Sequence, residues 1–182
     1  MSKADKMRVL DLSRLFPGPY CSRILADFGF EVIKVERPGG GDWARHVPPL
    51  DPESGEGLLF RALHRGKKSL TLNLKSEEGR HILLRLVETA DVLLDSFRPE
   101  VMDRLGLGYE VLSKANERLV YCSLTGYGPE GPYWTRAGHD LNYEGLSGLL
   151  DLTGPRGGPP SVPGAPLADV SGALWSAIGI LA

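Results

Sequence analysis

Residues 8–35 decide the fold: Arg8-Val9-Leu10-Asp11-Leu12, then Ser13-Arg14-Leu15-Phe16-Pro17-Gly18-Pro19, then Tyr20-Cys21-Ser22-Arg23-Ile24-Leu25-Ala26-Asp27-Phe28-Gly29, then Phe30-Glu31-Val32-Ile33-Lys34-Val35. Arg8 to Leu12 is an apolar run of strand length, and Pro17-Gly18-Pro19 marks a turn. Tyr20 to Phe28 places apolar residues at helical spacing and stops at Gly29, and Glu31 to Val35 is a second strand. Strand, helix and strand in so short a stretch form a βαβ unit, whose two strands run parallel.

The alternation continues outward. Ser69 to Leu74 reads as a third strand and Ser76 to Thr89 as an amphipathic helix, with Ser76 as cap and Glu77 and Glu78 in the first turn, where acids suit the helix dipole. Val92 to Asp95 is a fourth strand and Leu119 to Leu124 a fifth, with short helices at Pro99 to Leu105 and Tyr109 to Asn116 between them. Residues 38–57 read as a long Gly/Pro-rich loop, functional or mobile, and residues 125–138 and 151–166 as connections around a helical run from Asp140 to Leu150. The expected fold is α/β, a mostly parallel sheet flanked by helices, with ligands at the carboxyl ends of the strands.

At 182 residues and 42% hydrophobic content the chain can bury the core of one ordinary domain. A net charge of −2 with both signs interspersed gives no drive toward nucleic acid or an anionic membrane, so a polyanionic ligand must be met by local arginines and lysines. No run reaches membrane-spanning length, and Met1 to Lys6 is not followed by an apolar core of signal length. Cys21 and Cys122 have no metal-ligand spacing and read as buried thiols, which together point to a reducing cytoplasm and no metal. Val170 to Ala182 reads as a buried helix that stops without a cap, as though the chain were an N-terminal fragment.

Gly126-Tyr127-Gly128-Pro129-Glu130-Gly131 fits the dinucleotide fingerprint in form only. Pro129 and Pro132 forbid the helix whose N-terminus would receive a pyrophosphate, and the first βαβ turn carries Arg14 to Pro19 in place of glycines. Nicotinamide cofactors are therefore not expected. His46, His64 and His81 show no partner pattern. Trp43, Trp134 and Trp175 read as packing residues, because no basic stripe accompanies them.

Two residues 30 positions apart carry the chemistry: His139 in Gly138-His139-Asp140-Leu141-Asn142-Tyr143, and Asp169 in Pro166-Leu167-Ala168-Asp169-Val170. Imidazole titrates near neutrality and a carboxylate in a partly apolar pocket can be tuned toward it, so the two can serve as a proton-transfer pair. Taken alone they also fit a structural histidine and an aspartate capping the last helix.

These segments, with Val9-Leu10-Asp11-Leu12, Val32 to Gly39, Gly66-Lys67-Lys68-Ser69-Leu70, Phe97-Arg98-Pro99 and Arg104-Leu105-Gly106, resemble α-methylacyl-CoA racemases of the family III CoA-transferase superfamily along essentially the whole chain. The resemblance implies an N-terminal CoA-binding α/β domain over residues 1–182, ending inside the helix that begins near Asp169, with the rest of the family fold absent. It also implies an interlocked homodimer when full length, an acyl-CoA substrate of fatty acid metabolism, and no cofactor beyond the coenzyme A that is part of that substrate.

His139 and Asp169 would exchange the α-proton of a 2-methylacyl-CoA, with Asp140 and Tyr143 orienting the imidazole or lining the thioester pocket and Gly138 admitting the ligand close to backbone. Donors at the N-terminus of Asp169's helix would hold the enolate oxygen. Arg37 and Arg104 would meet the CoA phosphates, and Leu72, Asn73, Leu74, Lys75 and Phe97 would surround the nucleotide. Arg98, following the fourth strand, suits phosphate as well. Ser96 stands where some transferases carry asparagine, so that contact is not carried over.

The alternatives are a family III CoA-transferase with Asp169 as nucleophile and an inactive CoA-binding fragment. Transferases usually lack the histidine.

Overall fold

The computed structural model describes residues 7–182. Five strands, β1 (Arg8–Asp11), β2 (Glu31–Glu36), β3 (Lys68–Thr71), β4 (Val92–Asp95) and β5 (Val120–Ser123), pair in parallel in the order β3-β2-β1-β4-β5. In β1, Val9 pairs with Val32 on one side and Val92 on the other. Strands covered on both faces read as unbroken apolar runs, which is why β1 and β4 were plain in the sequence, whereas edge strands β3 and β5 carry exposed residues.

Side chains alternate between the two faces of the sheet. Leu10, Leu12 and Leu93 pack with Leu83 and Val87 of α3 (Glu77–Val87), Met102 of α4 (Val101–Arg104) and Leu112 of α5 (Tyr109–Ala115). On the other face Val9, Val32, Val92 and Leu94 pack with Cys21 and Leu25 of α1 (Pro17–Asp27) and with Ala173 and Ala177 of α7 (Leu167–Leu181). Each fully buried leucine contributes about 1.5–3 kcal/mol relative to exposure. Along the sequence, β5 is joined to α7 by residues 124–139, in loops, and α6 (Asp140–Ser147), followed by a 3-10 turn at Leu149–Leu152.

Several boundaries differ from the sequence reading. Helix α1 starts at Pro17, because proline is tolerated in a first turn whose N–H groups lack helical partners anyway. Strand β3 ends at Thr71, and Leu72 to Lys75 leave the sheet in a turn that leads to Ser76, whose hydroxyl accepts from the Gly79 N–H at 3.1 Å, as expected of a cap. Helix α2 (Leu58–His64) was not foreseen, its seven residues being too few to display a period. Cys21 is buried as expected, while Cys122 is only half-buried. Trp43 and Trp175 are exposed rather than packed.

The segment 38–57 is anchored, contrary to the mobile alternative. Arg45 donates to both carboxylate oxygens of Glu36, at 2.7 and 2.9 Å, and pairs with Glu56. Beneath it lies a buried ionic knot. Lys34 sits 3.7 Å from Asp11 and 3.3 Å from Asp42, and Lys67 donates to Asp11 at 3.1 Å, the Pro19 carbonyl at 2.9 Å and the Ser22 hydroxyl at 2.7 Å. Burial alone would raise the Asp11 pKa, but Lys34, Lys67 and the hydroxyls of Ser13 and Ser22 hold it well below the usual range.

The knot fixes the turn after β1. Lys34 donates to the Ser13 carbonyl, and the Leu15 N–H donates to Asp42 at 3.2 Å, holding Leu15 at φ 64, a left-handed conformation unusual outside glycine.

Candidate active site

In a parallel sheet the open crevice lies at the strands' carboxyl ends where the connections diverge to opposite sides, here between β1 and β4. Two adjoining cavities occupy that place. The larger, about 860 Å³, is bounded by the turns after β1, β4 and β5 and by the starts of α6 and α7. The smaller, about 270 Å³, lies between the ends of β1 and β2, the turn after β3, and α4. Arg14 and Phe97 line both, with the Arg14 guanidinium 4.8 Å from the centre of the Phe97 ring.

His139 and Asp169 both line the larger cavity, although 30 positions separate them. His139 is the residue before α6, exposed to solvent, and its N–H donates to Asn142 Oδ1 at 2.9 Å, which fixes the start of the helix. Asp169 is half-buried, and its pKa is pushed up to about 6 by burial first and by the negative charge of Asp140 second, against a smaller opposing effect of His139. A carboxyl tuned there exchanges its proton near neutral pH.

Asp169 is not the cap of its helix. That place belongs to Pro166, and Asp169 is the third residue of the first turn. Two of the first-turn donors are already occupied: the Leu167 N–H donates to Glu144 Oε1 at 3.2 Å and the Asp169 N–H to Asp140 Oδ1 at 3.0 Å. These donors are therefore not free for a ligand oxygen, and Asp140 bonds the backbone of α7 and not the imidazole. The Tyr143 hydroxyl, which lines the cavity, donates to the Gly138 carbonyl at 2.7 Å. A Cβ on Gly138 would lie 2.7 Å from the Tyr143 ring, so this glycine admits tyrosine in the structure.

Arg37, Leu72, Asn73, Leu74, Lys75 and Phe97 line the smaller cavity together. Arg98 lines the larger one instead. Arg104 lines neither; it is exposed on α4, whose Val101 and neighbouring Leu105 border the smaller cavity. Sequence reasoning missed Arg14, whose pKa is lowered by burial and then by the neighbouring Arg37. Arg14 and Arg37 both line the smaller cavity, and guanidinium groups suit phosphate oxygens. The signal for Arg14 was its position directly after β1. Ser96 has a part as well, since its hydroxyl accepts from the Arg14 N–H at 2.9 Å and ties together the turns after β1 and β4. Glu144 was missed too, and nothing in the sequence separates it from an ordinary exposed helical acid.

The chain is similar to known proteins along almost its whole length. The chain is 44% identical over 176 residues to an acyl-CoA transferase of Fusarium pseudograminearum, covering 93% of the chain and 39% of that protein. It is 40% identical over 181 residues to a succinate–glutarate CoA-transferase of Agrobacterium fabrum, covering 97% and 45%. With the human alpha-methylacyl-CoA racemase it shares 43% identity over 175 residues, covering 95% and 41%. The crystal structure of a CAIB/BAIF family protein from Brucella suis superposes with a TM-score of 0.92 at 40% identity, over 99% of this chain and 48% of that one. The chain thus spans less than half the length of these relatives. With the family pattern of CoA-transferase family III matching residues 5–182, this chain belongs to that family.

Proposed function

We propose that the chain supplies both proton-transfer groups of a 2-methylacyl-CoA racemase. The observation that carries this reading is that His139 and Asp169 line the same cavity, with the Asp169 carboxyl tuned to about 6. A proton α to a thioester carbonyl is weakly acidic, so one group removes it, the enolate forms, and the other returns a proton to the opposite face. The roles exchange with the enantiomer. With the Leu167 and Asp169 N–H groups of α7 occupied, the enolate oxygen would be met by the first-turn N–H groups of α6, at Asp140 and Leu141 beside the histidine.

The smaller cavity would take the nucleotide of coenzyme A, with Arg37 and Arg14 toward its phosphates and Phe97 between the two cavities. Acyl-CoA is then substrate, no separate cofactor is needed, and the intact protein works as a cytoplasmic homodimer. Among the described residues no helix is long and apolar enough to cross a membrane. Protein carrying this chain should wash deuterium from solvent into the α-position of a 2-methylacyl-CoA and invert that centre. Absence of exchange would refute the assignment.

Transfer is the second reading, favoured by the CoA-transferases among the relatives. Asp169, ionised above about pH 6, would attack the acyl-CoA carbonyl. A hydroxylamine-sensitive acyl adduct on Asp169, with acyl exchange onto a free acid, would establish it in place of racemisation.

A further inference from the structure

Glu144 is fully buried, and one of its carboxylate oxygens, Oε2, has no hydrogen-bond partner among the described residues. An unpaired buried charge of this kind is costly, and the group neutralises instead. Asp140, four residues earlier on α6, lies on the same face of that helix, where side chains one turn apart are neighbours. A proton on Glu144 Oε2, donated to the Asp140 carboxylate, satisfies both groups at once. The remaining oxygens are already committed to α7, Glu144 Oε1 to the Leu167 N–H and Asp140 Oδ1 to the Asp169 N–H.

We propose that Glu144 is a positioning residue for Asp169: it and Asp140 hold one proton between them, and the pair clamps the first turn of α7 through those two backbone hydrogen bonds. Burial, then the neighbouring Asp140, raises the Glu144 pKa, as retention of the proton requires. With the proton in place a single negative charge lies beside Asp169. If Glu144 were also ionised, a second charge would push Asp169 higher and weaken it as a base near neutral pH.

Other titratable groups surround the cluster. From the start of α6 come His139 and Tyr143, and from the turns bordering the cavity Arg14, Arg98 and Arg136. Cys21 of α1 and Cys122 of β5 pack against α7, and Asp151 lies exposed in the turn after α6. Of these, His139 acts on Asp169, as does Asp140 from within the cluster.

The inference depends on the racemase reading only for what Asp169 does with its proton, so its test is made without substrate. Carboxyl carbon-13 titrations of the chain, assigned with Asp169→Asn and Glu144→Gln, should find Glu144 protonated at pH 7. In Glu144→Gln, which carries a donor and an acceptor permanently, the Asp169 midpoint should stay within about 0.3 of the original, whereas in Glu144→Leu it should move by about a full unit.

In an α-proton exchange assay, Glu144→Leu should lose on the order of 10- to 100-fold in kcat with little change in KM, and Glu144→Gln should restore the rate. An ionised Glu144 at pH 7, or Gln and Leu variants with the same Asp169 midpoint, overturns the proposal. Should Glu144→Leu not fold, the Glu144 carboxyl in the unaltered chain decides alone. Titrations as expected with no exchange by any variant would sink the racemase reading and leave the shared proton standing.

Discussion

At the scale of single residues, the site is governed by where charge is buried. Asp169 has a folded pKa of about 6 against an unfolded value of 3.8, so between those values the folded state holds more proton than the unfolded one. Its contribution to stability is thus fully present below about pH 4 and is lost as pH rises through 6. Asp169→Asn should therefore raise the melting temperature at pH 7 more than at pH 4.5, while abolishing exchange; equal shifts at both values would show that Asp169 is not perturbed. His139→Ala should slow exchange from one enantiomer more than from the other, because each base faces one side of the substrate, and equal losses would argue against the pair. For coenzyme A, Arg37→Ala should weaken binding by about 1.5–3 kcal/mol, in a salt-dependent way, if that guanidinium bonds a phosphate. Arg104→Ala should cost less, since Arg104 lies outside both cavities. The proposed pair was legible because histidine and aspartate sit in a distinctive local sequence. Glu144 and Arg14 were not, because their meaning comes from burial and from neighbours distant in sequence.

At the scale of elements, β1, β2, β4 and α3 could be read from periodicity, since buried parallel strands are apolar throughout and a capped amphipathic helix announces its first turn. The segment following β2 could not be read this way. Polar and Gly-rich, it resembles a free loop, yet Arg45 joins it to Glu36, and Asp42 carries it down to Lys34. These contacts span few residues along the chain but depend on Lys34 and Glu36 being buried, which the alternation of charged and apolar residues in β2 does not reveal. Lys34→Met should test the arrangement severely, because it strands Asp11 and Asp42 as buried carboxylates with one cation fewer; loss of one partner from a buried network costs about 3–5 kcal/mol. Denaturant unfolding should record that loss, and CoA affinity should fall with it as the Ser13–Leu15 turn loosens. A variant of unchanged stability would mean that the knot is dispensable. Ser76→Ala is the milder comparison, with an expected loss of about 1 kcal/mol for a removed helix cap.

At the scale of the whole molecule, α7 shows both what the sequence conveyed and what it did not. A helix apolar nearly all round was expected to be buried, and Ala173 and Ala177 are indeed packed against α1 and the sheet. The opposite face is open: Leu174, Trp175, Ile178 and Leu181 are 45%, 71%, 53% and 51% exposed. Hydrophobicity indicates that a surface will be covered but not by what, and small alanines rather than large side chains mark the face that meets α1 closely. An apolar stripe of this kind on a folded chain favours association. The 182-residue chain in isolation should therefore sediment as a concentration-dependent oligomer, and Trp175→Ser with Ile178→Ser should shift it toward monomer without lowering the melting temperature, since neither side chain is in the core. The same pair of substitutions should reduce exchange only if the surface that covers α7 also helps to close the larger cavity, which Trp175 borders. A dilute monomer with an unaltered stripe would show that this face tolerates water and that the site is complete within one chain.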